Sequence, residues 1–322
     1  MKETQRTSNP YPNSDSNKRY FTYEYYLRKK FGEKCAKIPV DGGFTCPNID
    51  GKCGVGGCIY CSGRGSGDFA PDAALSVTEQ IAAGENLSKK WKTDKKIVYF
   101  QAHTNTYAPV SVLRVKFYEA LSCDGVVGLN IATRADCLGD DVLDLLSEIN
   151  EKTALTVELG LQTSNDETAK LINRGHTFAN FEKGYEKLKK RGIRVGVHLI
   201  FGLPGENREI MLKSVRDVSK LLPDEVKIHL LYVIDGTKLG ELYKSGEYKP
   251  LEQSEYVDIV CDALELLPRD TVVGRLTGDG EREKLLAPLW SLKKTCVVND
   301  IDKELYARGT WQGKNSSYKE FL

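Results

Sequence analysis

The chain has 322 residues, with 46 basic against 45 acidic side chains and a net charge of +1, so it can bury a sizeable core and carries no broad field toward nucleic acid or membrane. Any basic binding surface must be local. Nine cysteines, an odd number crowded toward one end, and an MKETQR start without an apolar leader predict a cytoplasmic protein whose clustered thiols bind metal rather than one another.

In chain order, residues 1–18 are polar and nearly free of aliphatic side chains, and are expected to form a flexible arm. RYFTYEYYLRKKFG follows, an aromatic-rich stretch that reads as a helix capping a core. A strand is expected at 36–44. Beyond it, short apolar runs at 96–102, 126–133, 154–162, 193–204 and 225–235 alternate with amphipathic stretches at 77–92, 110–121, 140–150, 178–191 and 208–221. That rhythm predicts βα units and a parallel sheet. Six units are too few for a closed eight-unit barrel, which predicts an α/β fold with an open, partial (βα)6 TIM-like barrel; a doubly wound sheet is the competing topology. The longest apolar runs, such as 195–203, are interrupted by His198 and Gly202 and fall short of the ~20 residues a membrane-spanning helix needs. Residues 253–268 read as an amphipathic helix ended by Pro268. With no Pro- or Gly-rich linker, 251–322 is expected to be a C-terminal extension packed on a 19–250 core and not an independent domain.

The cysteines carry the chemistry. CGVGGCIYC holds Cys53, Cys58 and Cys61, shortly after Cys46 in FTCPNIDG. Four thiols this close suit a zinc ion, a redox disulfide or an iron–sulfur cluster. Zinc needs four regular ligands, and only Cys58 and Cys61 have the CxxC spacing, with no histidine near. A thioredoxin-like CxxC leaves Cys46 and the glycines without a role. A cluster held by three thiolates explains more: Gly54, Gly56 and Gly57 free the loop to wrap an inorganic core, and the fourth iron stays open for S-adenosylmethionine (SAM).

The segments RYFTYEYYLRKKFG, FTCPNIDG, GGCIYCSGRGSGDFA, YFQAHTNTYAP, ATRADCL, VELGLQTSNDETAKLINRGHT, GVHLIFGLPGE, KIHLLYVIDGTKL and RLTGDGEREKLLAPLWS, in this order from about Arg19 to Gly313, resemble radical SAM enzymes of the YhcC/YtqA type, relatives of the radical SAM part of the Elongator catalytic subunit. The resemblance implies a [4Fe–4S] cluster on Cys46, Cys58 and Cys61, with SAM as second cofactor. Cys53 departs from the family pattern and is expected to be a solvent-side loop residue, although a rival trio of Cys53, Cys58 and Cys61 stays open. Polar groups for SAM belong at strand ends. Thr104 and Asn105 are the candidates for its methionyl amine, joined by Thr133, Arg134, Glu158, Gln162, Arg174 and His176, with the turn at Gly202 and Pro204 beside adenine. His198 and His229 are candidate catalytic groups, a proton relay inside the cavity.

The resemblance further implies tRNA as substrate: a wobble uridine whose carboxymethylaminomethyl group is shortened to aminomethyl through an imine that water opens. A flavodoxin or ferredoxin is the implied reductant. Because the chain ends soon after Trp311, acetyl transfer is not expected. Basic clusters at 28–30, 92–96, 187–194 and 293–294 are candidate phosphate grips, and equally solvated helix faces. Two other readings compete: a radical SAM enzyme acting on a small molecule such as a porphyrin precursor, and a non-enzymatic, zinc-stabilised nucleic-acid-binding module.

Overall fold

A computed structural model describes residues 9–65, 67, 70–278 and 280–318. Helix α1 (Tyr23–Phe31) leads into β1 (Ala36–Val40), and after a long loop come α2 (Val77–Ala83), α3 (Glu85–Trp91) and β2 (Lys96–Phe100). The alternation continues with α4 (Val110–Leu121), β3 (Val126–Thr133), α5 (Asp140–Lys152), β4 (Ala154–Gln162), α6 (Asp166–Leu171), α7 (Phe178–Lys190), β5 (Arg194–Phe201), α8 (Arg208–Lys220) and β6 (Glu225–Leu230). The remainder comprises β7 (Val233–Ile234), α9 (Lys238–Lys244), α10 (Gln253–Leu266), β8 (Val272–Arg275), β9 (Leu285–Ala287), a 3₁₀ turn (Leu289–Lys293) and α11 (Lys294–Ala307).

The main sheet runs β1-β2-β3-β4-β5-β6-β8, parallel throughout. This order never reverses, so the doubly wound alternative, which needs a switch point, is excluded. The six expected strands are present, and the sequence reading missed a seventh, β8, which the C-terminal extension adds beside β6. The result is a curled half-barrel with the extension built into its wall.

Strand periodicity explains where the polar side chains gather. On β4, Leu155, Val157, Leu159 and Leu161 point outward into the helix layer and are buried, while Thr156, Glu158, Gly160 and Gln162 point inward. On β5, Val195, Val197, Leu199 and Phe201 face out, and Arg194, Gly196, His198 and Ile200 face in. The hydrophobic core is therefore the shell between sheet and helices, whereas the barrel interior is polar.

The single helix expected at 77–92 is broken into α2 and α3 at Gly84, where a Cβ would come within 2.5 Å of Ile38 Cγ2 on β1. Of the arm expected over 1–18, residues 1–8 lie outside the described part, and residues 9–18 make specific contacts. Asn9 closes a turn by donating to Ser16 O (2.9 Å) and Lys18 O (2.7 Å), and Tyr11 is buried with its hydroxyl on Arg269 O at 2.7 Å. One large ring among polar residues is enough to anchor the segment.

The two ends of the chain meet around Gln312, which is fully buried. Its Nε2 donates to Pro268 O (2.7 Å) and Thr271 O (2.8 Å), and its Oε1 accepts from Phe21 N–H at 2.8 Å. Replacing Gln312 by alanine strands one buried donor and two buried carbonyls, and we expect a loss of about 2–4 kcal/mol of stability, read as a lower urea midpoint at unchanged m-value. An unchanged midpoint would show that the ends are not locked together here.

Candidate active site in the barrel

One cavity of about 650 Å³ fills the barrel interior, within the roughly 300–1,000 Å³ typical of small-molecule sites. Its rim and floor are chemically distinct. At the rim, the carboxyl ends of the strands carry the cysteine loop, and Cys46, Cys58 and Cys61 all line the cavity.

The loop is held by its own backbone and by two asparagines. Ile49 N–H donates to Cys46 O (2.8 Å), Gly57 N–H to Asn48 O (2.9 Å) and Cys61 N–H to Cys58 O (3.0 Å). Gly56 and Gly57 follow one another with φ of 81° and 75°, a path that side-chain-bearing residues avoid. At Gly54 a Cβ would come within 2.3 Å of Asn48 Oδ1. Fully buried Asn48 points its Nδ2 at Cys58 Sγ (3.7 Å) and bonds Asn173 O, while Asn173 Nδ2 returns to Gly57 O at 2.7 Å. Sequence reasoning gave Asn48 no role; the only signal was its place inside FTCPN. A hydrogen bond from Cys61, helped by Tyr60, Arg134 and Asn48, outweighs burial and brings the Cys58 thiol down to about 7. Among the described residues no three His, Cys, Asp or Glu side chains crowd close enough to share one metal ion. Cys46, Cys58 and Cys61 border one common space. A thiolate-prone cysteine, donors aimed at sulfur and a glycine-lined loop fit an iron–sulfur cluster.

Cys53 lies apart. It is exposed, with its thiol 3.9 Å from Asp136 Oδ2, and it does not line the cavity.

Of the residues expected to hold SAM, Thr104, Thr133, Gln162 and His176 line the rim. His176 Nε2 is buried with no protein partner, and burial beside Arg174 and Arg134 lowers its pKa to about 4. Arg134 and Arg174 also reach the wall, but their guanidinium groups are committed to the scaffold. Arg134 pairs with Asp136 (2.8 Å) and donates to Arg174 O (2.7 Å), while Arg174 caps the carbonyls of Leu161, Thr163 and His176. Asn105 does not face the cavity; its Nδ2 ties Phe100 O, Ala102 O and Ala132 O together, a knot between the ends of β2 and β3. Gly202 and Pro204 do not line the cavity; Gly202 O accepts from the Tyr248 hydroxyl at 2.7 Å, and the β5 residues that do line it are His198 and Ile200.

Glu158 sits lower, at the floor, with no solvent exposure. It accepts from Asn130 Nδ2 (2.7 Å), His198 Nε2 (2.9 Å), Lys37 Nζ (3.1 Å) and Lys227 Nζ. A carboxylate offers about four acceptor positions, and all four are filled by protein donors, so Glu158 organises the floor and has nothing left for a cofactor. Burial alone would raise its pKa, yet Lys227, Lys37 and His198 hold it well below the usual carboxylate range. Burial conversely brings Lys227 down to about 7 and, with Lys227 close by, His198 to about 4. Neutral His198 must donate from Nε2 to the ionised Glu158, which leaves Nδ1 as an acceptor. The His229 ring lies 5.2 Å from that of His198, and its buried Nε2 has no partner. Below them α1 closes the barrel: the Tyr23 hydroxyl accepts from Asn130 (3.4 Å), and Arg194 lies over the Tyr26 ring at 4.2 Å.

Three of the four basic clusters lie at the opposite end from the cysteines. Residues 92–96 and 187–194 immediately precede β2 and β5, and 28–30 belong to α1, so all three sit at the amino ends of the parallel strands. Several of their charges are already paired, Arg28 with Asp15, Lys95 with Glu33, Lys189 with Asp224 and Arg191 with Asp144.

All four histidines of the chain, His103, His176, His198 and His229, have their pKa lowered, chiefly by burial. A histidine kept neutral in the folded state binds its proton only on unfolding, so stability falls as pH drops from about 6.5 toward the folded values near 4. Glu206, raised to about 7 by burial, and Asp302, also raised by burial, oppose this. The cofactor-free protein should therefore show a clearly lower denaturation midpoint at pH 5 than at pH 7, and His198→Asn should flatten the drop; a pH-independent midpoint would refute the neutral histidines.

Comparison with known proteins agrees with this geometry. The pattern of the Radical SAM superfamily matches residues 51–218, and that of the radical SAM C-terminal domain residues 223–307. The Bacillus subtilis protein YtqA is 49% identical over 308 residues, 95% of this chain and 96% of its own. A tRNA uridine(34) acetyltransferase of Methanocaldococcus jannaschii is 35% identical over 156 residues, 48% of this chain but 28% of that longer protein. Among solved structures, Elp3 of Methanocaldococcus infernus, lacking its N-terminus, superposes with a TM-score of 0.67 over 86% of this chain and 64% of that one at 22% identity, a likeness of fold.

Proposed function

The chain belongs to the radical SAM superfamily, whose enzymes work with a [4Fe–4S] cluster, SAM and a one-electron reductant, and from that premise we propose that it modifies the wobble uridine of tRNA, shortening a carboxymethylaminomethyl side chain to aminomethyl. The observation that carries the reading is the likeness, across 156 residues, to an enzyme that acts on uridine 34 of tRNA. Flavodoxin or ferredoxin is the reductant we assign.

When bound, the cluster and SAM would supply radical hydrogen-atom abstraction, here from the carbon beside the side-chain nitrogen. The chain's own residues bind, orient and shield. Cys46, Cys58 and Cys61 are the proposed thiolate ligands, with Asn48 and the Gly56–Gly57 turn shaping their loop. Thr104, Thr133, Gln162 and His176, the rim residues that the scaffold leaves facing the cavity, are assigned to the polar groups of SAM. His198 and His229 line the cavity as neutral imidazoles, whose free ring nitrogens can accept a hydrogen bond from the side-chain nitrogen and orient it. The plug of α1 keeps bulk water from the floor.

The small-molecule reading draws on one observation, that three basic clusters lie away from the cysteine rim, where they cannot grip the phosphates of a tRNA entering there. Mass spectrometry of tRNA nucleosides separates the two. A strain without the gene should accumulate the carboxymethylaminomethyl uridine and lose the aminomethyl form; unchanged wobble uridines would remove the tRNA reading.

The cluster assignment is tested separately by anaerobic iron and sulfide counting. Cys46→Ala, Cys58→Ala and Cys61→Ala should each lose most of their iron, and Cys53→Ser should keep it. Iron loss on Cys53→Ser would bring the rival trio back.

A further inference from the structure

The RLTGDG segment, prominent in the sequence, has no part in the chemistry above, yet its arginine lies in the cavity wall. Strands β6 and β8 pair as Glu225 with Val272 and Val226 with Val273, and then slip, so that Lys227 stands opposite Arg275 and not opposite Gly274. On an unbroken strand, alternation would send Arg275 to the same face as Val273, which is buried in the outer shell. The bulge reverses that. Arg275 joins Lys227 on the inner face, and both line the cavity. Gly274 makes the slip possible, because a Cβ there would come within 2.3 Å of Glu225 Oε1 and 3.0 Å of Lys227 Cγ. A backbone irregularity has been spent on aiming one arginine inward.

The charges around it do not balance. Lys37 and Lys227 share the single carboxylate of Glu158 and lie 3.8 and 4.5 Å from the Tyr99 ring centre. Glu225 pairs with Arg194 through Oε2 at 3.2 Å, and its buried Oε1, beside Gly274, accepts no hydrogen bond from Arg275. Among the described residues Arg275 makes no ion pair and no hydrogen bond, and the nearby histidines are neutral. Lys37 and Arg275, with Lys227 poised between its charged and neutral forms, therefore outnumber the one carboxylate that faces them, a cost that the entry of an anion would offset. A guanidinium is always charged and presents a planar fork that matches the two oxygens of a carboxylate. The methionyl carboxylate of SAM does not meet this need, since it belongs at the cysteine rim. Lys37 is three residues below the end of β1, roughly 10 Å down the strand.

We propose that Arg275, with Lys227 beside it, is the receptor for a carboxylate on the substrate and makes the enzyme selective for side chains that end in one. The inference rests on the wobble-uridine reading, in which the group to be shortened ends in a carboxymethyl carboxylate. Held there by its oxygens, the side chain would present the adjacent carbon toward the rim.

The test compares the reconstituted wild-type enzyme with Arg275→Gln and Arg275→Lys on tRNA taken from the gene-less strain, and on the same tRNA with that carboxylate converted to a methyl ester. Wild type should prefer the acid. Arg275→Gln should raise KM for the acid by about 10- to 100-fold, the loss of a charge-assisted hydrogen-bond pair, and should erase the preference for acid over ester. Arg275→Lys should recover part of it. Iron content and unfolding midpoint of the variants control for folding, and the midpoint of Arg275→Gln should not fall, because no protein contact is lost. If wild type converts the acid and Arg275→Gln does so with the same KM and the same preference, the receptor is overturned while the tRNA reading stands. If wild type leaves the tRNA unchanged, the tRNA reading fails and this inference fails with it.

Discussion

A carboxylate with no exposure to water, Glu158, stands in the middle of the sheet and receives donors from four other strands: Lys37 of β1, Asn130 of β3, His198 of β5 and Lys227 of β6. Removing such a charge from water costs several kcal/mol, which is recovered only if its partners converge with good geometry. Convergence requires the sheet to curl, because on a flat sheet β1 and β6 would be five strands apart. The curvature that makes a cavity and the charge network on its floor are thus one constraint seen from two sides. What lies above the floor inherits its position from it, including the neutral state of His198 and the placement of Tyr99 between two ammonium groups.

The rim is ordered by a different means. There, side chains bond to backbone carbonyls: Arg174 to three of them, Asn105 to three, Asn48 and Asn173 to each other's loops. These residues hold the strand ends and the cysteine loop at fixed separation, which a cluster bound through three thiolates requires. The polar residues around the cysteine loop are therefore mostly brackets, and even Thr133, which lines the cavity, shares a hydrogen bond with Thr106 at 2.6 Å.

The sequence made the βα rhythm legible because outward-facing positions on β3 to β6 are apolar and the intervening helices are amphipathic. β8 was not legible: four residues, one of them glycine, leave no alternation to read, and its strand character comes from pairing with β6. The cysteine loop was recognisable from spacing and glycine content. The split of the remaining polar residues between structure and site was not, because Asn105 and Thr104 are neighbours of similar polarity that differ only in direction. Glu158 and Gln162 fall on one face, as alternation says, but their separation by four residues places one on the floor and the other on the rim. The burial of Tyr11 in a polar segment is likewise a tertiary fact, decided by a carbonyl at Arg269 more than 250 residues away.

The closure of the barrel's amino end by α1 has a consequence for traffic. With Tyr23 and Tyr26 seated against Asn130 and Arg194, the floor is covered from the amino ends of the strands, while the cysteine loop borders the cavity at their carboxyl ends. An occupant of the floor that enters from the carboxyl ends of the strands passes the cysteine loop on its way. By that route arrival and departure fall into sequence, and a tightly held occupant beside the loop would lock in the one below until it leaves.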